Sequence, residues 1–230
     1  MTIKQPVGSL KDAGPTASLK LVGRWLLLLG TPIALAAVLW FHPAAGEEVY
    51  SNLEPVADTW FYIHILLLPL FGLLGVVLYV LLAGYRGTTA TIGRIGIAGY
   101  LVCYIAFESI AGIATGILLR ESQNLSTEQQ EGVEAVLQVI FTEPINGVVG
   151  VLALLGTIGI LLAVVAIGVV LRRSGAPLVP LVLLGGAPIA IVAHGSGLAD
   201  VIGMVLFATG VAWLEFGWTS TDETEFKQGN

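Results

Sequence analysis

The sequence predicts an all-helical membrane protein with a bundle of six transmembrane helices. Of its 230 residues, 56% are hydrophobic and only 11% are charged, whereas a typical soluble domain carries roughly 25% charged residues. The hydrophobic residues also occur in long blocks separated by short polar segments. Blocks of about 18 or more apolar residues are typical of helices that cross a membrane.

Six blocks have about the required length. They span residues 21–41, 59–83, 92–119, 145–171, 178–194 and 201–218. About 20 helical residues are needed to cross a hydrocarbon core of ~30 Å, and a helix satisfies its own backbone hydrogen bonds inside lipid. The sequence therefore predicts a transmembrane domain over 21–218, preceded by a cytoplasmic segment over 1–20 and followed by a cytoplasmic tail over 219–230.

The basic residues predict the orientation of this domain. With six crossings, nine of the ten lysines and arginines fall on one side, and only Arg120 falls on the other. The nine are Lys4, Lys11, Lys20, Arg24, Arg86, Arg94, Arg172, Arg173 and Lys227. Because loops rich in Lys and Arg remain in the cytoplasm, both termini are predicted to be cytoplasmic, in a multi-pass protein of the plasma membrane.

The connection between the third and fourth blocks predicts a short external helix over residues 127–141. Ser126 or Thr127 can cap it, with Gln129 or Gln130 completing a capping box. Apolar residues then recur at helical spacing, and acidic residues occupy the opposite face. The apolar set is Val133, Val136, Leu137, Ile140 and Phe141. This pattern indicates an amphipathic helix that lies on the outer surface or folds over the bundle.

Glu108 is the main candidate for a ligand-binding residue. It lies near the middle of the third block, where an ionised side chain is costly and polar groups are usually functional. Tyr100 and Tyr104 precede it at intervals of four residues, and Gly112 and Gly116 follow at the same spacing. This stripe is predicted to face other helices. Glu108 is then either a carboxylate that binds a proton or cation, or a hydrogen-bonded packing residue.

The three histidines form a second candidate set. His42, His64 and His194 are all predicted to lie in the outer leaflet or at its edge. Imidazole suits zinc, copper and iron, so this placement raises the possibility of a metal or haem site. No two histidines share a helical spacing, and no H-E-x-x-H or C-x-x-C motif is present. Neither a particular metal nor a cofactor is therefore fixed by the sequence.

The best functional prediction is a protein that binds, or transports, a small ligand, cation or proton through an outward-facing polar pocket. The candidate ligand-binding residues are Glu108, His64, Tyr104, Tyr100 and His194. One alternative is a haem- or metal-binding membrane protein that uses His64 and His194. The sequence contains no recognisable set of catalytic residues, so it does not indicate an enzyme.

A second alternative is an accessory or structural membrane subunit. Gly112 and Gly116 form a G-x-x-x-G pair, which lets two helices approach closely and could join this chain to a partner or to a second copy. The lipid bilayer is the other expected partner. The sequence shows no basic patch of the kind that binds nucleic acid.

Overall fold

The structure is a computed structural model that describes residues 15–142 and 148–218. All regular secondary structure in these ranges is helical, with no strand, which confirms the predicted all-α class. The predicted cytoplasmic tail, most of the N-terminal segment and residues 143–147 lie outside the described residues.

Eleven α-helices follow one another along the described chain. They are α1 (Pro15–Trp25), α2 (Thr31–Leu39), α3 (Val49–Leu53), α4 (Ala57–Leu81), α5 (Thr88–Phe107), α6 (Thr115–Ser122), α7 (Thr127–Thr142), α8 (Val148–Arg173), α9 (Leu178–Leu183), α10 (Gly186–Val192) and α11 (Leu198–Phe216). Two π-helical segments, Leu26–Gly30 and Glu108–Ala114, join α1 to α2 and α5 to α6. A 3-10 turn, Glu54–Val56, joins α3 to α4.

Five continuous helical segments of the described chain are long and apolar enough to cross a membrane. They are Leu19–Leu39, Val49–Leu81, Thr88–Ser122, Val149–Arg173 and Leu198–Phe216. The remaining predicted block is the shorter apolar segment Leu178–Val192. At 1.5 Å per residue it covers about 22 Å, less than a hydrocarbon core of ~30 Å. The structure thus gives five candidate spans and one short apolar segment, where the sequence predicts six spans.

The short segment is divided because its sequence does not support a continuous helix. Helix α9 ends at Leu183, and α10 begins at Gly186. Pro188 has no N–H to donate to a carbonyl one turn earlier, and glycine lowers helix stability at Gly185 and Gly186. Gly186 also allows close packing, because a Cβ atom at this position would overlap the Gly203 carbonyl oxygen on α11.

Small residues also hold α5 against α8 in the centre of the bundle. A Cβ atom on Gly96 would lie 2.6 Å from the carbonyl oxygen of Gly159, so the two backbones are in direct contact there. Tyr100, on the next turn of α5, is fully buried, and its hydroxyl donates a 3.1 Å hydrogen bond to the carbonyl of Phe71 on α4. These contacts fix the position of α5, and hence of the residues that follow it.

Helices α3 and α7 cover one end of the bundle, which we call the capped end. Leu53 of α3, Trp60 of α4, Leu119 of α6 and Leu137 of α7 form a separate buried cluster there. At the start of α7, the side chain of Gln129 accepts a 3.1 Å hydrogen bond from the Ser126 N–H. The opposite end, where α8 ends at two arginines, is called the arginine end below.

Candidate metal site

Four polar side chains meet inside the bundle beneath the capped end. His42 follows α2, His64 lies in α4, Glu108 is the first residue of the second π-helical segment, and His194 follows α10. His42, His64 and Glu108 are 8%, 2% and 1% exposed, and the His194 side chain is 10% exposed. Four separate parts of the chain therefore contribute to one buried polar cluster.

Some ligand atoms of these side chains are as close together as those around a bound metal ion, and the others are somewhat farther apart. Nε2 of His42 lies 3.2 Å from Nε2 of His64, and Nε2 of His194 lies 3.2 Å from Oε1 of Glu108. Oε2 of Glu108 is 3.9 Å from Nε2 of His64. One ring nitrogen from each histidine lies within 4.8 Å of the other two. Ligands of tetrahedral zinc, at 2.0–2.1 Å from the ion, are about 3.3 Å apart.

The ring of His64 is held in the form that a metal ligand requires. Its Nδ1 lies 2.7 Å from the carbonyl oxygen of Trp60, one turn earlier in α4. A carbonyl only accepts hydrogen bonds, so Nδ1 carries the proton. In the neutral ring Nε2 then has a lone pair, which can accept the hydrogen bond from Nε2 of His42 or bind a metal ion. A backbone carbonyl bound to the second ring nitrogen is the usual arrangement around metal-ligating histidines.

Several polar atoms of the cluster have no hydrogen-bond partner among the described residues. They include both carboxyl oxygens of Glu108 and Nδ1 of His42 and of His194. His194 is close to Glu108, but the two do not meet with hydrogen-bond geometry. Burying polar atoms without partners is costly, and such atoms in a native fold often indicate a missing ion or water.

His42, which lies outside the five candidate spans, is suited to bind a cation at neutral pH. Burial, reinforced by the nearby His64, lowers the pKa of His42 from 6.5 to about 3. Its imidazole is therefore neutral at pH 7, and metal ions bind the neutral form of histidine. The ring also contacts both other histidines, with ring centroids 4.9 Å from His64 and 4.7 Å from His194.

The π-helical segment and Trp60 fix the side of the site formed by α4. A π-helix leaves carbonyls outside the regular α-helical hydrogen-bond pattern and is frequent at functional sites. Here the indole N–H of Trp60 donates a 2.9 Å hydrogen bond to the carbonyl of Gly112. Gly112 itself lies against the His64 ring, where a Cβ atom would overlap the imidazole. Glycine at this position is what lets His64 reach the cluster.

His194 is positioned by the turn that joins α10 to α11. Gly195 has a φ of +75°, which strongly favours glycine, and it faces the His42 ring. Asp200, on the first turn of α11, is fully buried, and its carboxylate accepts hydrogen bonds from the N–H groups of Gly195 and Val201. The sequence suggests only an acidic residue in an external connection here. Its position near a Gly-rich turn was the only signal of this role.

The structure brings together some of the sequence-predicted site residues and separates others. Glu108 is buried, and its closest polar neighbours are His194 and His64. Tyr104 is buried with its ring centroid 6.3 Å from that of His194, and its hydroxyl has no partner among the described residues. Tyr100 belongs to the packing beside the site, because its hydroxyl is bound to a backbone carbonyl of α4.

The predicted oligomer surface is occupied within the chain itself. Gly112 packs against His64, and Gly116 packs against Phe61, where a Cβ atom on the glycine would lie only 3.0 Å from the Phe61 backbone. Both neighbours belong to α4. The G-x-x-x-G pair therefore serves a helix contact inside the chain.

Comparisons with protein-family models, curated proteins and solved structures found no match to this chain. The functional argument therefore depends on the four side chains and on what surrounds them.

Proposed function

We propose that this is a metal-binding membrane protein and that His42, His64, His194 and Glu108 hold one divalent ion of the zinc class. The observation that supports it best is that three imidazole rings meet beside a buried carboxylate that has no hydrogen-bond partner among the described residues. A divalent cation would neutralise that carboxylate and use the lone pairs of the three rings. On this proposal, the small ligand or cation expected for the pocket is a metal ion.

The ligand set is typical of zinc. Imidazole and carboxylate are common zinc ligands, and structural zinc sites bind four protein ligands in a tetrahedron. Mg²⁺ and Ca²⁺ prefer six or more oxygen ligands, which a cluster of three imidazoles does not offer. With four protein ligands, zinc has no open position for a substrate. The arrangement therefore supports binding and not catalysis.

The packing favours a bare ion over haem as the occupant. Haem bound by His64 and His194 would need a flat space about as wide as its macrocycle between them. In the structure, His42 packs against both rings, Trp60 lies on His64, and Phe71 lies 5.5 Å from His194, measured between ring centroids. These side chains fill the region that a macrocycle would occupy.

We also propose that the short segment over α9 and α10 crosses the membrane as a sixth, broken span. Helix α8 ends at Arg173, whose guanidinium approaches Thr89 at the start of α5, and the segment then leads to His194 beneath the capped end. Helix α11 returns to the arginine end, where Glu215 binds Arg24 at 2.7 Å. Both ends of the domain would then lie on the arginine-rich, cytoplasmic side of the plasma membrane, with α7 outside.

Reporter fusions test the number of crossings. We expect fusions at the N-terminus, after Arg173 and at the C-terminus to be cytoplasmic, because nine of ten basic residues would then share that side. An insertion near Gln129 should be external. Fluorescent protein and alkaline phosphatase reporters, active on opposite sides, give the readout. Termini on opposite sides of the membrane would mean five crossings and would overturn this proposal.

Metal content is the direct test of the proposed function. The protein, purified with a tag that contains no histidine, should hold one zinc ion per chain by elemental analysis. Glu108→Gln should lower the affinity for zinc by more than the roughly 10–100-fold typical of a lost second-shell partner, because it removes a direct ligand. Competition with a chromophoric chelator measures the affinity of each variant.

Glu215→Gln is the matched control, because it makes the same change at a buried carboxylate of the arginine end. It should bind zinc like the unmodified protein. Equal zinc affinity in the Glu108 and Glu215 variants would contradict a role for Glu108 as a ligand. Absence of zinc binding in the unmodified protein would instead favour a hydrogen-bonded polar core in a structural subunit.

A further inference from the structure

A groove runs along the surface of the bundle between α8 and the α9–α10 segment, and none of the residues that line it belongs to the histidine cluster. Its volume is about 540 Å³, within the ~300–1,000 Å³ of small-molecule sites. Its walls are apolar, formed mainly by Leu161, Val165 and Val169 of α8 and by Leu178 and Val182 of α9. Among the described residues that line it, the only charged ones are Arg172 and Arg173, at the arginine end.

We propose that this groove binds one anionic phospholipid, with an acyl chain between the helices and the phosphate at Arg172 and Arg173. The distance from Leu161 to Arg172 along α8 is about 16 Å, close to half of a ~30 Å hydrocarbon core. The groove therefore has the length of one leaflet. It is apolar where the acyl chain lies and cationic where the headgroup begins.

The arginines retain donors for a phosphate. Arg172 uses one N–H to bind the carbonyl of Ala176 at 3.1 Å, and Arg173 uses one N–H toward the Thr89 hydroxyl at 3.4 Å. Each guanidinium has five N–H donors, and Arg is well suited to phosphate groups. The two bonds hold the side chains beside the groove. Basic pockets between transmembrane helices on the cytoplasmic side are typical sites for anionic headgroups.

The positive charge at the arginine end of the groove favours an anionic lipid over a second copy of the chain as the occupant. In a two-fold dimer with its axis along the membrane normal, the same ends of both grooves meet. Arg172 and Arg173 of each copy would then face those of the other, and like charges oppose such contact. A second groove, between α2 and α11, is lined by uncharged residues only, among them Ile33, Val205 and Thr209. This second groove serves as a comparison, because it has no charged residues to bind a lipid headgroup.

Native mass spectrometry of the full chain in detergent tests the proposal. The probes are phosphatidylglycerol and phosphatidylcholine with identical acyl chains. We expect roughly 25-fold tighter binding of phosphatidylglycerol, about fivefold for each arginine near the anionic headgroup. The double variant R172Q/R173Q should lose this preference. Arg86→Gln, which removes an exposed charge from the same side of the bundle but outside the groove, should keep it.

A substitution that fills the groove provides an independent test with both arginines intact. A Cβ atom on Gly168, in the groove wall, would meet nothing within 4 Å, so Gly168→Leu should fold and occupy the acyl-chain space. We expect it to lose the bound lipid. Gly99→Leu, at an equally open helical glycine of α5, is the matched control. Equal binding of the two lipids, unchanged binding in Gly168→Leu, or a dimer that Gly168→Leu dissociates would each overturn the proposal.

Discussion

Saturation with zinc is expected to raise the melting temperature of the purified protein by roughly 10 °C. The ion would join four separate parts of the chain, so it binds the folded state and not the unfolded one. At a free concentration 1,000 times the dissociation constant, such binding adds about 4 kcal/mol to the free energy of unfolding. For chains of 150–250 residues, 1 kcal/mol corresponds to about 2–4 °C. Differential scanning fluorimetry with and without a chelator measures the shift.

Two comparisons make this result specific. His194→Ala should remove the zinc-dependent shift, because it deletes a proposed ligand that lies only 3.2 Å from the Glu108 carboxylate. Mg²⁺ at the same concentration should leave the melting temperature unchanged, since it prefers oxygen ligands. All three histidines of the chain belong to the site, so an untagged protein has no other histidine to bind zinc. An equal shift in the His194 variant would contradict the proposed ligand set.

Gly112→Ala is expected to destabilise the protein by about 1–3 kcal/mol and to abolish high-affinity zinc binding. The added methyl group would overlap the ring of His64 and would also lie 2.9 Å from the His64 Cβ. Rotation of the ring alone cannot relieve a contact with Cβ, so the two helices must move apart. Overpacking of this kind typically costs about 1–3 kcal/mol. Melting temperature and zinc affinity are the two readouts.

Gly99→Ala serves as the control for the backbone effect of alanine. It lies on α5, where a Cβ meets nothing within 4 Å, and alanine is the better helix former by about 1 kcal/mol. We expect this variant to be at least as stable as the unmodified protein and to bind zinc normally. If Gly112→Ala behaved in the same way, the contact between Gly112 and His64 would not be needed for the site.

Local sequence pattern was sufficient to predict the helices but not the length of every one. Composition and block length correctly indicate an all-helical protein, because backbone groups in lipid must be satisfied within each segment. The segment over α9 and α10 is apolar enough to resemble the others. Its glycines and Pro188 interrupt the helix, and this effect of single residues is lost in a hydrophobicity average.

The candidate metal site was only partly predictable, for a physical reason. The sequence predicts that His42, His64 and His194 all lie in the outer leaflet or at its edge. It also shows Glu108 as a carboxylate within an apolar block. Their ligand atoms, however, belong to four segments that are distant in sequence. A spacing rule such as i, i+4 detects ligands on one helix and has no means of detecting ligands that meet only through tertiary packing.

The contributions of Gly112 and Asp200 were not predictable from their spacing either. Gly112 reads as part of a G-x-x-x-G contact between chains, but α4 of the same chain occupies that face. Asp200 has no distinctive motif around it in the sequence, although it is buried and accepts a hydrogen bond from the turn that carries His194. Both residues support ligands that they do not themselves provide, and such a role depends on neighbours brought close by folding.

The cap formed by α3 and α7 bears on the difference between how tightly an ion binds and how long it stays bound. Phe141 of α7 packs on Trp60, with ring centroids 6.1 Å apart, and Trp60 in turn packs on His42 and His64. If the cluster binds an ion as proposed, the affinity would depend on the four proposed ligands, whereas the lifetime of the bound ion would depend on how often this aromatic stack opens. Substitutions in the cap can therefore change how quickly an ion is exchanged while the strength of its binding stays the same.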